Sequence, residues 1–264
     1  MKVDRLSQPG DGLVNEDLVL SGRYHALVID GATAEPGAET GCVHDVRWLV
    51  ARLGTALDRI LVERPAEDLR AVLRAAIESV RDAHSGTCDL GNPCGPTATV
   101  AILRERDGHV DYLVLSDSAV VLERLDGTVE AVIDDRIDRL LHLSWQEVRP
   151  LRNAPGGFWV AGSDPAAADQ ARTGTVELSR LRRAALLTDG AYRLVERYGW
   201  TWHQLLDVAE LDGPAAVVHE TRRAELRTAP GHFAGKHHDD ATVAFCRFET
   251  TAAPLTRPTH EVTK

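Results

Sequence analysis

The stretch VNEDLVLSGRYHALVIDG, residues 14–31, contains two short apolar runs separated by a Gly-Arg pair. Aliphatic and β-branched residues dominate both runs, 18–21 and 24–29, which is typical of adjacent strands. The pair at 22 and 23 predicts a two-residue hairpin turn that sets Asp17 opposite Val28. Because side chains alternate between the two faces of a strand, Asp17 and Asp30 are expected on one face and at one end of the hairpin.

Asp30 is one of four aspartates that stand where an apolar run ends or begins. The others are Asp117 in LVLSDS, Asp189 in ALLTDG and Asp239 in HHDDATVAF. A carboxylate beside a buried strand loses hydration, and several together repel one another unless cations neutralise them. Hard oxygen ligands without a histidine pair at fixed spacing favour magnesium or manganese over zinc. Each aspartate alone is better explained as the cap of a turn, so the prediction of two bound cations rests on the whole set.

The rest of the chain alternates between strand-like and helix-like segments. Apolar residues at helical spacing predict amphipathic helices over 46–61 and 69–80. Further strands are predicted at 97–103, 112–115, 120–122, 128–132, 184–187 and 241–248, with helices at 137–148, 192–198, 202–209 and 214–226, and a surface excursion at 153–174. This order predicts an α+β fold in which helices cover two antiparallel sheets. We expect one domain over 1–249 and a disordered tail over 250–264.

Composition narrows the class of protein. A net charge of -10 disfavours nucleic acid as a partner, and no apolar run is long enough to span a bilayer. Residues 1–10 lack the apolar segment of a secretory signal, so a cytoplasmic monomer that does not bind membranes is expected. The four cysteines are expected to be reduced. Cys88 and Cys94 share one loop with His84 nearby, which leaves two interpretations open, a zinc site or ordinary loop residues.

Taken in order, six motifs resemble the signature blocks of the protein phosphatase 2C family. They are NED at 15–17, VIDG at 28–31, GPTATV at 95–100, LSDSAVVL at 115–122, LLTDG at 186–190 and DDATVAF at 239–245. The resemblance implies a four-layer α-β-β-α sandwich with two Mn²⁺ or Mg²⁺ ions at one end of the central sheets. It also implies a phosphatase that hydrolyses phosphoserine and phosphothreonine in proteins through attack by a metal-bridging hydroxide.

The resemblance also assigns site residues. Asp30 would bridge both metals, the Gly31 carbonyl would bind one of them, and Asp189 and Asp239 would complete the other. Glu16 and Asp17 would act directly or through water, and Asp117 matches a contributor to a third metal. Asp30, Asp189 and Asp239 are therefore the expected catalytic residues.

Several positions depart from the family pattern. Gly12 stands where the family has a phosphate-binding arginine, and Ala32 and Thr33 follow the DG pair where many relatives have histidine. Arg193 replaces a second contributor to the third metal and is expected, with His238, to contact substrate. The imidazole of His238 is either a proton donor to the leaving group or part of an ordinary loop. The changes leave two alternatives: a catalytically silent module that binds a phosphoprotein or signalling partner, and a hydrolase of small phosphoesters.

Overall fold

A computed structural model describes residues 1–11, 14–32, 37–84, 86–140 and 142–248. Gly12, Thr33 and the expected tail at 250–264 lie outside these ranges. The described strands are β1 Lys2–Gln8, β2 Leu18–Ser21, β3 His25–Ala32, β4 Thr97–Arg106, β5 His109–Leu115, β6 Ala119–Arg124, β7 Val129–Ile133, β8 Arg172–Glu177, β9 Leu181–Leu187 and β10 Ala241–Arg247. The described α-helices are α1 Val46–Glu63, α2 Leu69–His84, α3 Trp145–Val148, α4 Asp189–Glu196, α5 Trp202–Leu211 and α6 Pro214–Leu226.

The strands form two five-stranded antiparallel sheets. One has the order β1-β10-β9-β6-β7 and the other β2-β3-β4-β5-β8. Helices α1 and α2 pack on the second sheet through a core that includes Leu27 and Ile29. Helices α4 to α6 pack on the first sheet around Phe245. A third core, with Val28 and Leu186, fills the space between the sheets. The predicted α+β four-layer α-β-β-α sandwich is therefore confirmed.

The alternation of apolar residues explains these layers. In β3, residues 27 and 29 face the helices while Ala26 and Val28 face the other sheet. Asp30 continues the second set, because every other residue of a strand points to the same face. Its carboxyl group therefore lies at the end of the layer between the sheets. Among the described helices, none has the length and apolar character needed to cross a membrane.

The predicted register of the first hairpin is wrong by two residues. Leu18 pairs with Ile29 and Ser21 with Ala26, so four residues rather than two connect the paired positions of β2 and β3. The backbone N–H of Gly22 donates to the carbonyl oxygen of His25 across this turn. A shift of two residues preserves the face of every side chain, so the expectation that Asp17 and Asp30 share a face survives the error.

Two strands and one helix were predicted incorrectly. Neither β1 nor β8 was predicted: polar and apolar residues do not alternate regularly along β1, an edge strand of the first sheet, and β8 lies partly within the predicted surface excursion. The helix predicted over 137–148 is reduced to α3 and a single 3-10 turn at Asp138–Leu140. Its apolar residues instead pack beside Phe158 and Val160 in a small separate cluster.

Candidate metal centre

The two sheets bring their aspartates to one end of the sandwich. Asp30 belongs to β3 of one sheet, whereas Asp189 is the first residue of α4, directly after β9 of the other sheet. Asp239 precedes β10, which is the neighbour of β9. Residues that are far apart in the sequence therefore meet where the strands end.

Asp30 is surrounded by like charges. Burial raises the pKa of its carboxyl group well above the ordinary value, and the negative charges of Asp17, Asp189, Asp117 and Asp239 raise it further. Burial also raises the pKa of Asp189, although a hydrogen bond with Asp30 and the positive charge of Arg193 oppose this effect. Two carboxyl groups can share a hydrogen bond only when one of them is protonated. Without cations, the centre must therefore take up protons to limit its repulsion.

Asp17 has one oxygen that is satisfied and one that is not. The hydroxyl of Thr188 donates to its Oδ2 at 2.8 Å. Its Oδ1 is buried and has no hydrogen-bond partner among the described residues. Burial raises the pKa of this carboxyl group to about 7. A buried carboxylate oxygen without a donor is uncommon in folded proteins, and a cation satisfies it well.

Asp117 lies on the turn between β5 and β6. Ser116, the preceding residue, has a positive φ of 67°, a strained conformation for a residue with a side chain. The Tyr192 hydroxyl donates to the Asp117 backbone carbonyl at 2.8 Å, which fixes the turn against α4. Burial, reinforced by the charge of Asp189, raises the pKa of Asp117 to about 7. The fold thus holds a fourth carboxyl group near the same negative cluster.

Asp239 differs from the others because two cationic side chains contact it. Arg193 Nη2 donates to its Oδ2 at 3.0 Å, and Lys236 Nζ lies 2.9 Å from its Oδ1. The Arg193 side chain is only 1% exposed and also pairs with Glu225 at 2.9 Å. The Nδ1 atom of His238 lies 2.7 Å from the same Glu225 carboxylate. Arg193 and His238 are thus directed at a shared acidic partner, and their contact with substrate stays a prediction.

Asp240 organises the chain around the centre, a role that sequence reasoning missed. Its Oδ1 accepts from Gly10 N–H at 2.8 Å, and its Oδ2 accepts from Glu16 N–H at 2.7 Å. The Glu16 carbonyl in turn accepts from Gly31 N–H at 3.2 Å. The segment carrying Glu16 and Asp17 is therefore tied to β10 and to β3. The only sequence signal for this residue is its position as the second aspartate of HHDDATVAF.

Two glycines are required for this close packing. A Cβ atom on Gly31 would lie 2.4 Å from Val46 Cγ1, and one on Gly190 would lie 2.0 Å from the Asp240 carbonyl oxygen. Both distances are shorter than any ordinary van der Waals contact. The residue after Asp30 and the residue after Asp189 must therefore be glycine.

The donor set fits hard divalent cations. The structure brings together Asp17, Asp30, Asp117 and Asp189, with Asp239 held by its cationic partners, and their oxygens are the ligands that Mn²⁺ and Mg²⁺ prefer. The unpartnered Oδ1 of Asp17 and the shared hydrogen bond of Asp30 and Asp189 are both features that a cation would resolve. Ligation by these residues stays a prediction, as does ligation by Glu16 and the Gly31 carbonyl.

Comparison with known proteins places this geometry in context. The sequence profile described as Protein phosphatase 2C matches residues 7–221. The Mycobacterium tuberculosis serine/threonine phosphatase PstP/Ppp is 18% identical, with 94% of this chain and 98% of that chain covered and a TM-score of 0.60. Staphylococcus aureus Stp1 is 14% identical, with 94% and 95% covered and a TM-score of 0.61. A PstP catalytic domain crystallised with two manganese ions is 17% identical, with 92% and 96% covered and a TM-score of 0.60. No curated protein matches this chain.

Proposed function

Because this chain belongs to the protein phosphatase 2C family, we propose that it hydrolyses phosphoserine and phosphothreonine in proteins with the help of two Mn²⁺ or Mg²⁺ ions. The observation that carries the proposal is the set of four carboxylates whose charges act on the buried Asp30. Burying several carboxylates together lowers the stability of the folded protein, and such clusters are typical of functional sites. The proposed enzyme is a cytoplasmic monomer whose partner is a phosphorylated protein.

Asp30, the Gly31 carbonyl, Asp189 and Asp239 are the proposed main ligands. Glu16 and Asp17 contribute directly or through water, and Asp117 lies where a further cation would bind. When bound, the cations polarise the phosphoryl oxygens and lower the pKa of a coordinated water molecule. Catalysis then depends on carboxylates that are already held in place before the cations arrive.

The chain's own residues supply that positioning. The Thr188 hydroxyl orients Asp17, and the Asp240 carboxylate fixes the backbone of Glu16. Arg193 of α4 donates to Asp239 and also to Glu225 of α6, so it links Asp239 to α6. We propose that Arg193 and His238 reach the substrate phosphate only if these ion pairs rearrange, since the Arg193 side chain is 1% exposed.

One observation favours a second candidate, a catalytically silent module that binds a phosphoprotein or signalling partner. Both oxygens of Asp239 are already paired, with Arg193 and Lys236. These cationic side chains compete with a metal ion for the carboxylate. If these cationic side chains prevail, the fold keeps its acidic centre but lacks the second cation that hydrolysis requires.

Hydrolysis of an aryl phosphate and of a phosphothreonine peptide, with and without manganese, separates the two candidates. Asp30→Asn and Asp239→Asn remove a proposed ligand with little change in shape, and each is expected to lower the rate by at least about 100-fold. Asp126→Asn is the matched control, because Asp126 only caps the turn before Thr128. Manganese-dependent turnover that both ligand variants lose supports the enzyme. Binding of manganese and phosphopeptide by the unaltered chain without turnover supports the silent module.

A further inference from the structure

Four potential metal ligands of a different kind meet away from the acidic centre. Cys42 and His44 lie in the loop before α1, His84 is the last residue of α2, and Cys88 lies in the loop that follows. One ligand atom from each of these residues lies within 4.8 Å of all the others. The set combines two thiols with two imidazoles, which is a common composition of a structural zinc site.

The distances fit a common central ion. The Sγ atoms of Cys42 and Cys88 are 3.1 Å apart. His44 Nδ1 lies 3.7 Å from Cys42 Sγ and 3.4 Å from Cys88 Sγ. Tetrahedral bonds of about 2.3 Å to sulfur and about 2.0 Å to nitrogen separate two sulfurs by about 3.8 Å and a sulfur from a nitrogen by about 3.5 Å. A shift of a few tenths of an ångström in each of the two thiols would bring the two sulfurs to this separation.

His84 presents a lone pair to the cluster. Its Nδ1 lies 3.1 Å from the Val80 carbonyl oxygen, which can only accept, so Nδ1 carries the proton. In the neutral ring the Nε2 atom then carries a lone pair and no proton, and it is buried with no hydrogen-bond partner among the described residues. Histidines that bind zinc characteristically donate their other ring N–H to a carbonyl or carboxylate in this way.

The surroundings hold the two imidazoles in place. The Trp48 indole stacks on the His44 ring at a centroid distance of 3.8 Å and meets the His84 ring edge-on at 4.4 Å. His84 is only 3% exposed, so its unpartnered nitrogen is shielded from water. Packing by Trp48 and exclusion of water from His84 are features of a preformed ligand site rather than of a mobile loop.

We propose that Cys42, His44, His84 and Cys88 bind one zinc ion in a closed structural site, separate from the carboxylate centre. Four protein ligands leave no open position for chemistry, so the ion would stabilise the fold rather than react. The acidic centre, by contrast, offers oxygen ligands that suit Mn²⁺ and Mg²⁺. The two sites therefore differ in the metal that they select.

The zinc site would fasten the loops beside the acidic centre. The Asp89 N–H already donates to the Gly41 carbonyl at 2.8 Å, which joins the two ligand-bearing loops. Two residues after His44, Val46 packs against Gly31, the neighbour of Asp30. A metal bound between the loops would therefore restrain the start of α1 against β3.

The same loops contact the segment 149–163. Ser163 Oγ donates to the Leu90 carbonyl at 3.0 Å, and Arg152 Nη1 donates to the Gly95 carbonyl at 3.1 Å. The restraint would thus extend from the zinc ligands to the predicted surface excursion. Loss of the metal should loosen all three segments together.

The sequence contained half of this signal. Of the three residues considered for a zinc site, His84 and Cys88 belong to the cluster. Cys94 does not, because its Sγ lies 3.6 Å from Arg149 Nη1 instead. Cys42 and His44 were not predicted as zinc ligands, because they precede α1 and only the antiparallel packing of α1 and α2 brings them to the end of α2.

Metal analysis of the purified full chain, kept reduced, tests the proposal. We expect about one zinc per chain after dialysis, and a strong sulfur-to-metal charge-transfer band when cobalt(II) replaces zinc, since the acidic centre has no thiolate. Cys42→Ser, Cys88→Ser and His84→Gln should each weaken zinc binding by at least about tenfold. Cys94→Ser is the matched control and should bind zinc as the unaltered chain does.

Failure of this proposal is distinguishable from failure of the phosphatase proposal, because neither zinc content nor the cobalt band depends on turnover. Absence of zinc and of the cobalt band in the unaltered chain would overturn the proposal. It would also be overturned if Cys94→Ser lost zinc as fully as Cys42→Ser, or if Cys42 and Cys88 formed a disulfide in the reduced buffer and excluded the metal. The zinc content and cobalt band of the unaltered chain decide the proposal by themselves, so a ligand variant that fails to fold does not obscure the result.

Discussion

The Asp17 carboxyl group should make the metal-free protein less stable as the pH rises from about 5.5 to about 7.5. Burial raises its pKa from the ordinary value of 3.8 to about 7 in the folded chain. At pH values between these two pKa values, the folded state holds a proton on Asp17 that the unfolded state has released. The free energy of unfolding therefore falls as the pH rises through this interval and levels off above it.

The magnitude follows from the two pKa values. At about pH 5.5 the bound proton stabilises the folded state by about 2 kcal/mol, and at about pH 7.5 this stabilisation is almost entirely lost. The Asp17→Asn variant lacks this titration. Its stability relative to the unaltered chain should therefore improve by about 2 kcal/mol over the interval. Asp117, whose pKa is also raised to about 7, should behave in the same way when replaced by asparagine.

Urea unfolding after chelator treatment, at both pH values, measures the effect. Groups remote from Asp17 contribute equally in both proteins, so their contributions cancel in the difference. The neighbouring Asp30 changes in the same direction, because loss of the Asp17 charge lowers the pKa of Asp30. Asp126→Asn is again the control and should follow the unaltered chain. Saturating manganese should abolish the pH dependence that Asp17 causes, because a cation removes the need for the proton. An identical pH dependence of Asp17→Asn and the unaltered chain would refute the reasoning.

Three further substitutions test other parts of the structure. Lys236→Ala removes a largely exposed partner of Asp239 and should tighten manganese binding by up to about fivefold, as measured by calorimetry. An unchanged affinity would show that the lysine does not compete with manganese for Asp239. Gly190→Ala should weaken manganese binding by about tenfold, because its methyl group meets the carbonyl oxygen of the residue before β10 at 2.0 Å, and normal binding would contradict this. Arg183→Met removes one of the two arginines that pair with the buried Glu123 and should lower the free energy of unfolding by about 2 kcal/mol, because Arg182 remains as a partner. A loss below about 1 kcal/mol would mean that the Arg183 pair contributes little.

The fold was largely accessible from local patterns. The apolar stripes of α1 and α2 indicate which face of each helix is buried. The continuous apolar runs of β4 to β6 indicate strands that are buried on both faces, as the inner layers of a sandwich require. The N-terminal edge strand was missed because its two faces are both partly exposed, so its polarity does not alternate cleanly. The register of the first hairpin was missed because a four-residue turn and a two-residue turn leave the same pattern in the strands.

The candidate site was predictable only where one residue type repeats one local context. An aspartate at the end of an apolar run marks Asp30, Asp117 and Asp189 without knowledge of the rest of the chain. The pairing of Arg193 with Asp239 depends on how α4 lies against the loop before β10, 46 residues further on. Interactions between distant segments of this kind leave no trace in local spacing.

The number of manganese ions bound by the zinc-saturated chain tests the central claim most directly. Isothermal titration calorimetry at about pH 7.5, where the aspartates are most in need of cations, should show two manganese ions per chain and at most one for Asp30→Asn. A chain that binds no manganese, or one whose stoichiometry is unaffected by Asp30→Asn, would contradict the claim that these carboxylates converge to hold paired cations.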